Sequence, residues 1–118
     1  MKFILFFSLS LLLAGVTTAF SLPTDKPETA TFMVSGVCGM CEQRIETAAM
    51  NLTGVKLADW DRKTQQITVV FNPKKASLDA IHQAIAAAGH DTDRVKAADV
   101  VYEALPGCCL YRDGVESH

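Results

Sequence analysis

Outside two pairs this chain has no cysteine. The four it carries are Cys38 and Cys41, in Cys38-Gly39-Met40-Cys41, and the adjacent Cys108-Cys109. Every thiol therefore belongs to one pair or the other. An excess of positive charge is also missing. The formal net charge is −2, and about −3 once the N-terminal segment discussed next is removed, which excludes the basic stripe a nucleic-acid partner requires. The chain has no internal repeat and no low-complexity tract. Its apolar run from Phe3 to Val16 is short of the roughly 20 residues that span a bilayer as a helix. No cysteine follows that run closely, so a bacterial lipoprotein anchor is not indicated.

What is present begins with Met1-Lys2, then the apolar run, then Thr17-Thr18-Ala19 with small residues suited to cleavage after Ala19. This is the layout of a secretory signal peptide over 1–19. It predicts a secreted protein, in a bacterium a periplasmic one, with no stable membrane insertion after cleavage. The remainder is enough for one compact domain. Secretion also places the thiols where disulfides form, so oxidation of both pairs is a competing state.

Residues 20–29, with two prolines and polar neighbours, read as a flexible lead-in. Thr31–Ser35 reads as a strand with Phe32 and Val34 on one face, and Gly36 starts the loop carrying Cys38 and Cys41. From Glu42 the spacing of Ile45, Ala48, Ala49 and Leu52 is helical, with Asn51 and Gly54 as stop signals. Val55–Trp60 and Gln66–Phe71 read as strands about the turn Asp61-Arg62-Lys63-Thr64. Ser77 is a helix N-cap, Leu78, Ile81, Ile85 and Ala88 make the apolar stripe, and Gly89 ends it. A fourth strand over about 91–96 would complete an α+β, ferredoxin-like βαββαβ sandwich, its antiparallel sheet carrying two helices on one face. A short C-terminal helix is predicted over 98–105, with Val101 and Leu105 inward, stopped by Pro106-Gly107.

A CxxC between a strand and a helix start has a physical logic. The helix N-terminus offers unpaired N–H groups and partial positive charge, which favour thiolate over thiol. Thiolates select soft ions such as Cu(I) and Zn(II). The same pair also suits disulfide exchange. However, the chain lacks the length and element order of a thioredoxin domain, and no Pro starts the strand after the second helix. A thiol–disulfide oxidoreductase and a disulfide-stapled interaction module thus remain as alternatives. No general base, nucleophile or cofactor loop stands beside the cysteines, so no enzyme activity is required.

Val34-Ser35-Gly36-Val37-Cys38-Gly39-Met40-Cys41, followed by Arg44-Ile45-Glu46, resembles the heavy-metal-associated domain family. The resemblance runs from about Thr31 to Lys96, implies a domain over 30–96, and includes Gly54-Val55 and Ala88-Gly89. The family usually reads Gly-Met-x-Cys-x-x-Cys; here Gly36-Val37 runs straight into Cys38, one residue shorter, with Val37 for the buried Met. The resemblance implies a metallochaperone or scavenger with Cys38 and Cys41 as metal thiolates. Cu(I) is favoured, with Zn(II), Cd(II) or Hg(II) as alternatives, and a metal transporter or efflux component as partner. It places His90 next to the metal loop, as a support or occasional ligand.

The remainder, 97–118, is an extension. Six strand residues would lead about 20 Å away from the loop, and eight helical residues would return about 12 Å. Cys108, Cys109 or both are therefore expected to cap the metal, giving three or four thiolates. A free tail and a structural disulfide are the competing readings. Met40 reads as a packed loop residue that also offers a thioether, His82 as a solvated helix residue, and Trp60 as a cover for the sheet.

Overall fold

The computed structural model describes residue 15 and residues 26–113. Apart from residue 15 the signal-peptide segment lies outside the described part, as do most of the lead-in and the last five residues. The elements run β1 (Glu28–Met33), α1 (Gly39–Met50), β2 (Val55–Asp61), β3 (Gln66–Phe71), α2 (Leu78–Ala87) and α3 (Asp99–Glu103). Two 3-10 turns, Gly107–Cys109 and Tyr111–Asp113, end the described chain. Among the described residues no helix is long and apolar enough to cross a membrane.

The sheet is antiparallel in the order β1-β3-β2. Ile67 of β3 pairs with Phe32 on one side and Trp60 on the other. Alternation then sends Ile67, Val69 and Phe71 to one face, and all three are buried. In β2 a register shift between Val55 and Leu57 lets both Val55 and Trp60 turn inward. Cys41, Ile45 and Ala49, at intervals of four, are the buried stripe of α1. Ile81 and Ile85 serve α2, and all of these residues join one core. Each such isoleucine contributes about 1.5–3 kcal/mol by leaving water.

Ends follow the local chemistry. Ser77 Oγ accepts the Ala80 amide at 3.0 Å, capping α2 as expected. Gly54 has φ +100°, and a Cβ there would sit 2.6 Å from Lys75 Cβ. Only glycine suits that turn. β1 begins at Glu28, so residues 28 and 29 belong to the sheet rather than to a flexible lead-in. α1 begins at Gly39, three residues before the apolar spacing suggests, which places Cys41 in its first turn.

The fourth strand does not form a ladder. Val34 and Thr92 make an isolated antiparallel bridge, with Ser35 N donating to Asp91 O and Asp93 N to Met33 O. The side chains explain the rest. Asp91 Oδ1 accepts the Ala97 amide at 2.7 Å, and Thr92 Oγ1 accepts the amides of Arg94 and Val95 at 3.2 and 3.0 Å. Such local bonds turn the backbone away from a strand path. α3 is also shorter than predicted, and Tyr102, rather than Val101, is its buried residue. His82 is buried, not solvated: its ring stacks on Phe32 at 3.8 Å, and Nδ1 lies 2.6 Å from Thr92 Oγ1.

The extension folds back on the domain, so it is no free tail. Arg112 forks onto Asp91, with Nε 3.0 Å from Oδ2 and Nη2 2.7 Å from Oδ1. It also reaches Asp99 and the Ala97 carbonyl, and lies over the Tyr102 ring. Tyr111 donates its hydroxyl to Gly89 O at 2.7 Å and accepts the Asp91 amide at 2.8 Å. The Arg112→Ala variant is expected to lose about 1–3 kcal/mol of stability, read as a lower urea midpoint at unchanged slope, as for a half-buried charge left unpaired. Burial alone would raise the Asp91 carboxyl, but the Arg112 guanidinium and Ala97 amide hold it below its ordinary 3.8. Its contribution is therefore full above about pH 4 and fades as the pH falls further. The wild-type and variant stabilities are expected to converge in acid, measured by urea melts across that range.

Candidate metal centre

Cys38 stands at the N-cap of α1 with an extended backbone, and its carbonyl accepts the Glu42 amide at 3.0 Å, opening the helix. The loop before it is held from two sides. Trp60, buried, donates Nε1–H to Val34 O at 3.0 Å, and its ring lies where a Cβ on Gly36 would come within 2.9 Å. Gln65, at φ 61°, receives the Val34 amide on its carbonyl, and its side-chain amide donates to Gly36 O. Val37 is buried, filling the place of the apolar residue beneath the loop.

The structure brings all four predicted cysteines together. Cys38 Sγ lies 3.4 Å from Cys41 Sγ, 3.3 Å from Cys109 Sγ and 3.9 Å from Cys108 Sγ. Cys108 and Cys109 are 3.9 Å apart through their sulfurs. All four are free thiols, so neither pair is a disulfide here. Thiolates about 2.3 Å from a shared ion stand about 3.8 Å apart in a tetrahedron, about 4.0 Å in a trigonal plane and about 4.6 Å across a line. The Sγ atoms of Cys38, Cys108 and Cys109 all lie within 4.8 Å of one another, as three ligands of one ion would, while Cys41, 3.4 Å from Cys38, stands outside that mutual group. The adjacent cysteines achieve this because the 3-10 turn at Gly107–Cys109 lets Cys109 point inward while Cys108 stays at the rim.

Charge is arranged unevenly among these thiols. Burial pushes the Cys38 thiol up, but the Cys41 amide, the Cys109 and Cys41 thiols and the Met40 amide together bring it down from 9.0 to about 7. Cys109 goes the other way, to about 11, through burial and the neighbouring thiols, against the pull of Arg44. Arg44 Nη1 donates to Cys109 Sγ at 3.4 Å. Cys108 is likewise raised, by desolvation first and then by the Cys38 and Cys109 thiols beside it. Cys38 thus forms its thiolate well before Cys108 and Cys109 do.

His90 is buried and is not among the clustered ligand atoms. Its Nδ1 lies 2.8 Å from Ser35 O, and burial brings its pKa down to about 4. Above that pH the ring is neutral, donates from Nδ1, stacks on Tyr111 and ties the end of α2 to the metal loop. Met40 is not packed in the loop: it is 51% exposed, with Sδ 3.6 Å from Cys108 Sγ. Four residues that shape the site were not singled out for it from sequence. They are Gln65, Arg44, Tyr111 and Arg112. Only the last two left a signal, as an aromatic and a cation directly after Cys108-Cys109.

The comparisons with known proteins agree with this geometry. Residues 31–91 match the profile of the heavy-metal-associated domain. The CopZ metallochaperone is similar at 29% identity and a TM-score of 0.54, over 55% of this chain and 98% of that one. Oxidized MerP from Ralstonia metallidurans CH34 is similar at 29% identity and 0.54, over 57% and 94%. The N-terminal domain of a potential copper-translocating P-type ATPase from Bacillus subtilis, in its Cu(I)-loaded state, is similar at 31% identity and 0.54, over 56% and 84%. No curated protein matches the sequence.

A pH titration of the reduced, metal-free protein, followed by thiolate ultraviolet absorbance, is expected to show one thiolate forming with a midpoint near pH 7. The Cys38→Ser variant is expected to lack that step. Because the folded Cys38 thiol lies below 9.0, its stabilising contribution is full above pH 9 and is lost as the pH falls through 7. Cys109 contributes below pH 9 and loses its contribution as the pH rises through 11.

Proposed function

This chain belongs to the heavy-metal-associated domain family, and on that footing we propose that it carries or sequesters a single soft metal ion. The ion is held by Cys38 and Cys41 from the loop and by Cys109, with Cys108, from the extension. The observation that carries this reading is that Cys38 Sγ has three other sulfurs within 3.9 Å, drawn from both ends of the domain.

Cu(I) is the favoured cargo. Thiolates select it, and the similar ATPase domain from Bacillus subtilis is described in a Cu(I)-loaded state. Zn(II), Cd(II) and Hg(II) are the alternatives. With two thiolates zinc would have been left incomplete, whereas four sulfurs satisfy its tetrahedral preference. The extension therefore widens the choice of ion even as it deepens the site. A metal transporter or efflux component is the partner, and the N-terminal signal layout supports secretion, in a bacterium to the periplasm. Binding releases protons from the cysteines, Cys108 and Cys109 among them at neutral pH, and no bond of a substrate is made or broken.

Anaerobic titration of the reduced protein with Cu(I), against a competing chelator, is expected to show one ion per chain. Cys38→Ser is expected to lose affinity by about 100-fold or more, beyond the 10–100-fold seen when a partner outside the ligand set is removed. The double variant Cys108→Ser/Cys109→Ser is expected to lower both affinity and the sulfur coordination number read by X-ray absorption. Unchanged stoichiometry, affinity and coordination number in that variant would sink the cap. Turnover in an insulin-reduction assay with no metal retained would favour the oxidoreductase instead.

A further inference from the structure

We propose that Met40 and Cys108 form the exchange port of this centre, a thioether and a thiol through which Cu(I) enters and leaves, with Cys38 as the next ligand inward. The inference rests on the soft-metal reading above and adds the route and a residue outside the four cysteines.

Exposure singles out the pair. Cys41 and Cys109 are 0% exposed and Cys38 is 7% exposed. Ligand exchange requires an incoming sulfur to touch the ion while the outgoing one still holds it, and a carrier's thiolate cannot reach buried sulfurs in the closed fold. Cys108 is exposed, as is Met40. They touch each other at 3.6 Å, and Cys108 lies 3.9 Å from Cys38. A continuous line of sulfurs therefore runs from solvent to the interior: Met40, Cys108, Cys38, then Cys41 and Cys109.

The helix explains why Met40 can serve. It occupies the first turn of α1, where long side chains lean back toward the N-terminus, and so over the loop. Met50 is exposed as well, but stands about 15 Å further along the same helix. The chemistry fits one ion better than the others. A thioether is soft and neutral, so it holds Cu(I) weakly and has little hold on Zn(II). Weak binding at the rim and stronger binding inside is what an entry point needs.

The step balances simply. As Cu(I) arrives, a copper–sulfur bond to the carrier breaks while bonds to Met40 Sδ and Cys108 Sγ form. Cys108 gives its proton to water. Copper stays Cu(I) throughout and no electron moves. Passage inward repeats the exchange, with Cys38 replacing Met40.

The test compares wild type with Met40→Leu, which keeps the side chain's bulk. Stopped-flow transfer of Cu(I) from its bicinchoninate complex is expected to slow by at least about tenfold in the variant, comparable to losing an outer partner of a metal site. The equilibrium affinity is expected to change by less than about threefold, and Zn(II) uptake is expected not to change. X-ray absorption of the Cu(I)-loaded protein made with selenomethionine supplies a second readout. A copper–selenium contact at partial loading, lost in Met40→Leu, supports the port. Equal Cu(I) rates together with no selenium contact overturn it, while leaving the four-cysteine site standing. A reduced wild type that binds no Cu(I) overturns both.

Discussion

Asp91 is the residue through which the metal loop, the end of α2 and the extension are tied together. Its carbonyl receives the Ser35 amide, its own amide goes to the Tyr111 hydroxyl, and its carboxylate takes the Ala97 amide and the Nε and Nη2 donors of Arg112. A strand residue would have spent its backbone groups on a ladder. Here the same groups fasten three segments at one point. Charge-assisted, forked bonds of this kind are about twice as strong as neutral ones and fix direction as well as distance. The closed position of Cys108 and Cys109 follows from that fastening, since the 3-10 turn that bears them ends only two residues before Tyr111.

The burial of the sulfurs has an electrostatic counterpart. Several thiolates around one cation accumulate negative charge that an apolar core resists. The open end of α1 and the Arg44 guanidinium offset part of it, and the protein also withholds charge until an ion arrives. Cys38 ionises near neutrality while Cys109 stays protonated far above it. Without an ion the centre thus sets the low-lying Cys38 thiol beside a Cys109 that keeps its proton, which limits the charge the fold must bury.

Most of the order of elements was legible because it depends on local signals. Alternation in Gln66–Phe71, the Ser77 cap and Gly54 each act within a few residues. The Cys38-Cys41 loop was legible for the same reason, as a motif at a strand–helix junction. The fold-back of Cys108-Cys109 was reachable from chain lengths, although the assumed path along a fourth strand was not the one taken. What sequence could not display were the long-range pairs: Arg112 with Asp91, Arg44 with Cys109, and Gln65 with Gly36. His82 and Met40 illustrate the limit from opposite sides. A histidine on a helix became buried because Phe32 offered its ring, and a methionine inside a loop motif became exposed because the helix began three residues early.

Trp60 is the chain's single tryptophan, and its indole forms the floor under Gly36, with its ring edge against the loop that leads into Cys38. Any shift of that loop changes the surroundings of one chromophore and no other of its kind. The molecule therefore carries an optical gauge of this loop, placed by the packing that positions it, and needing no label.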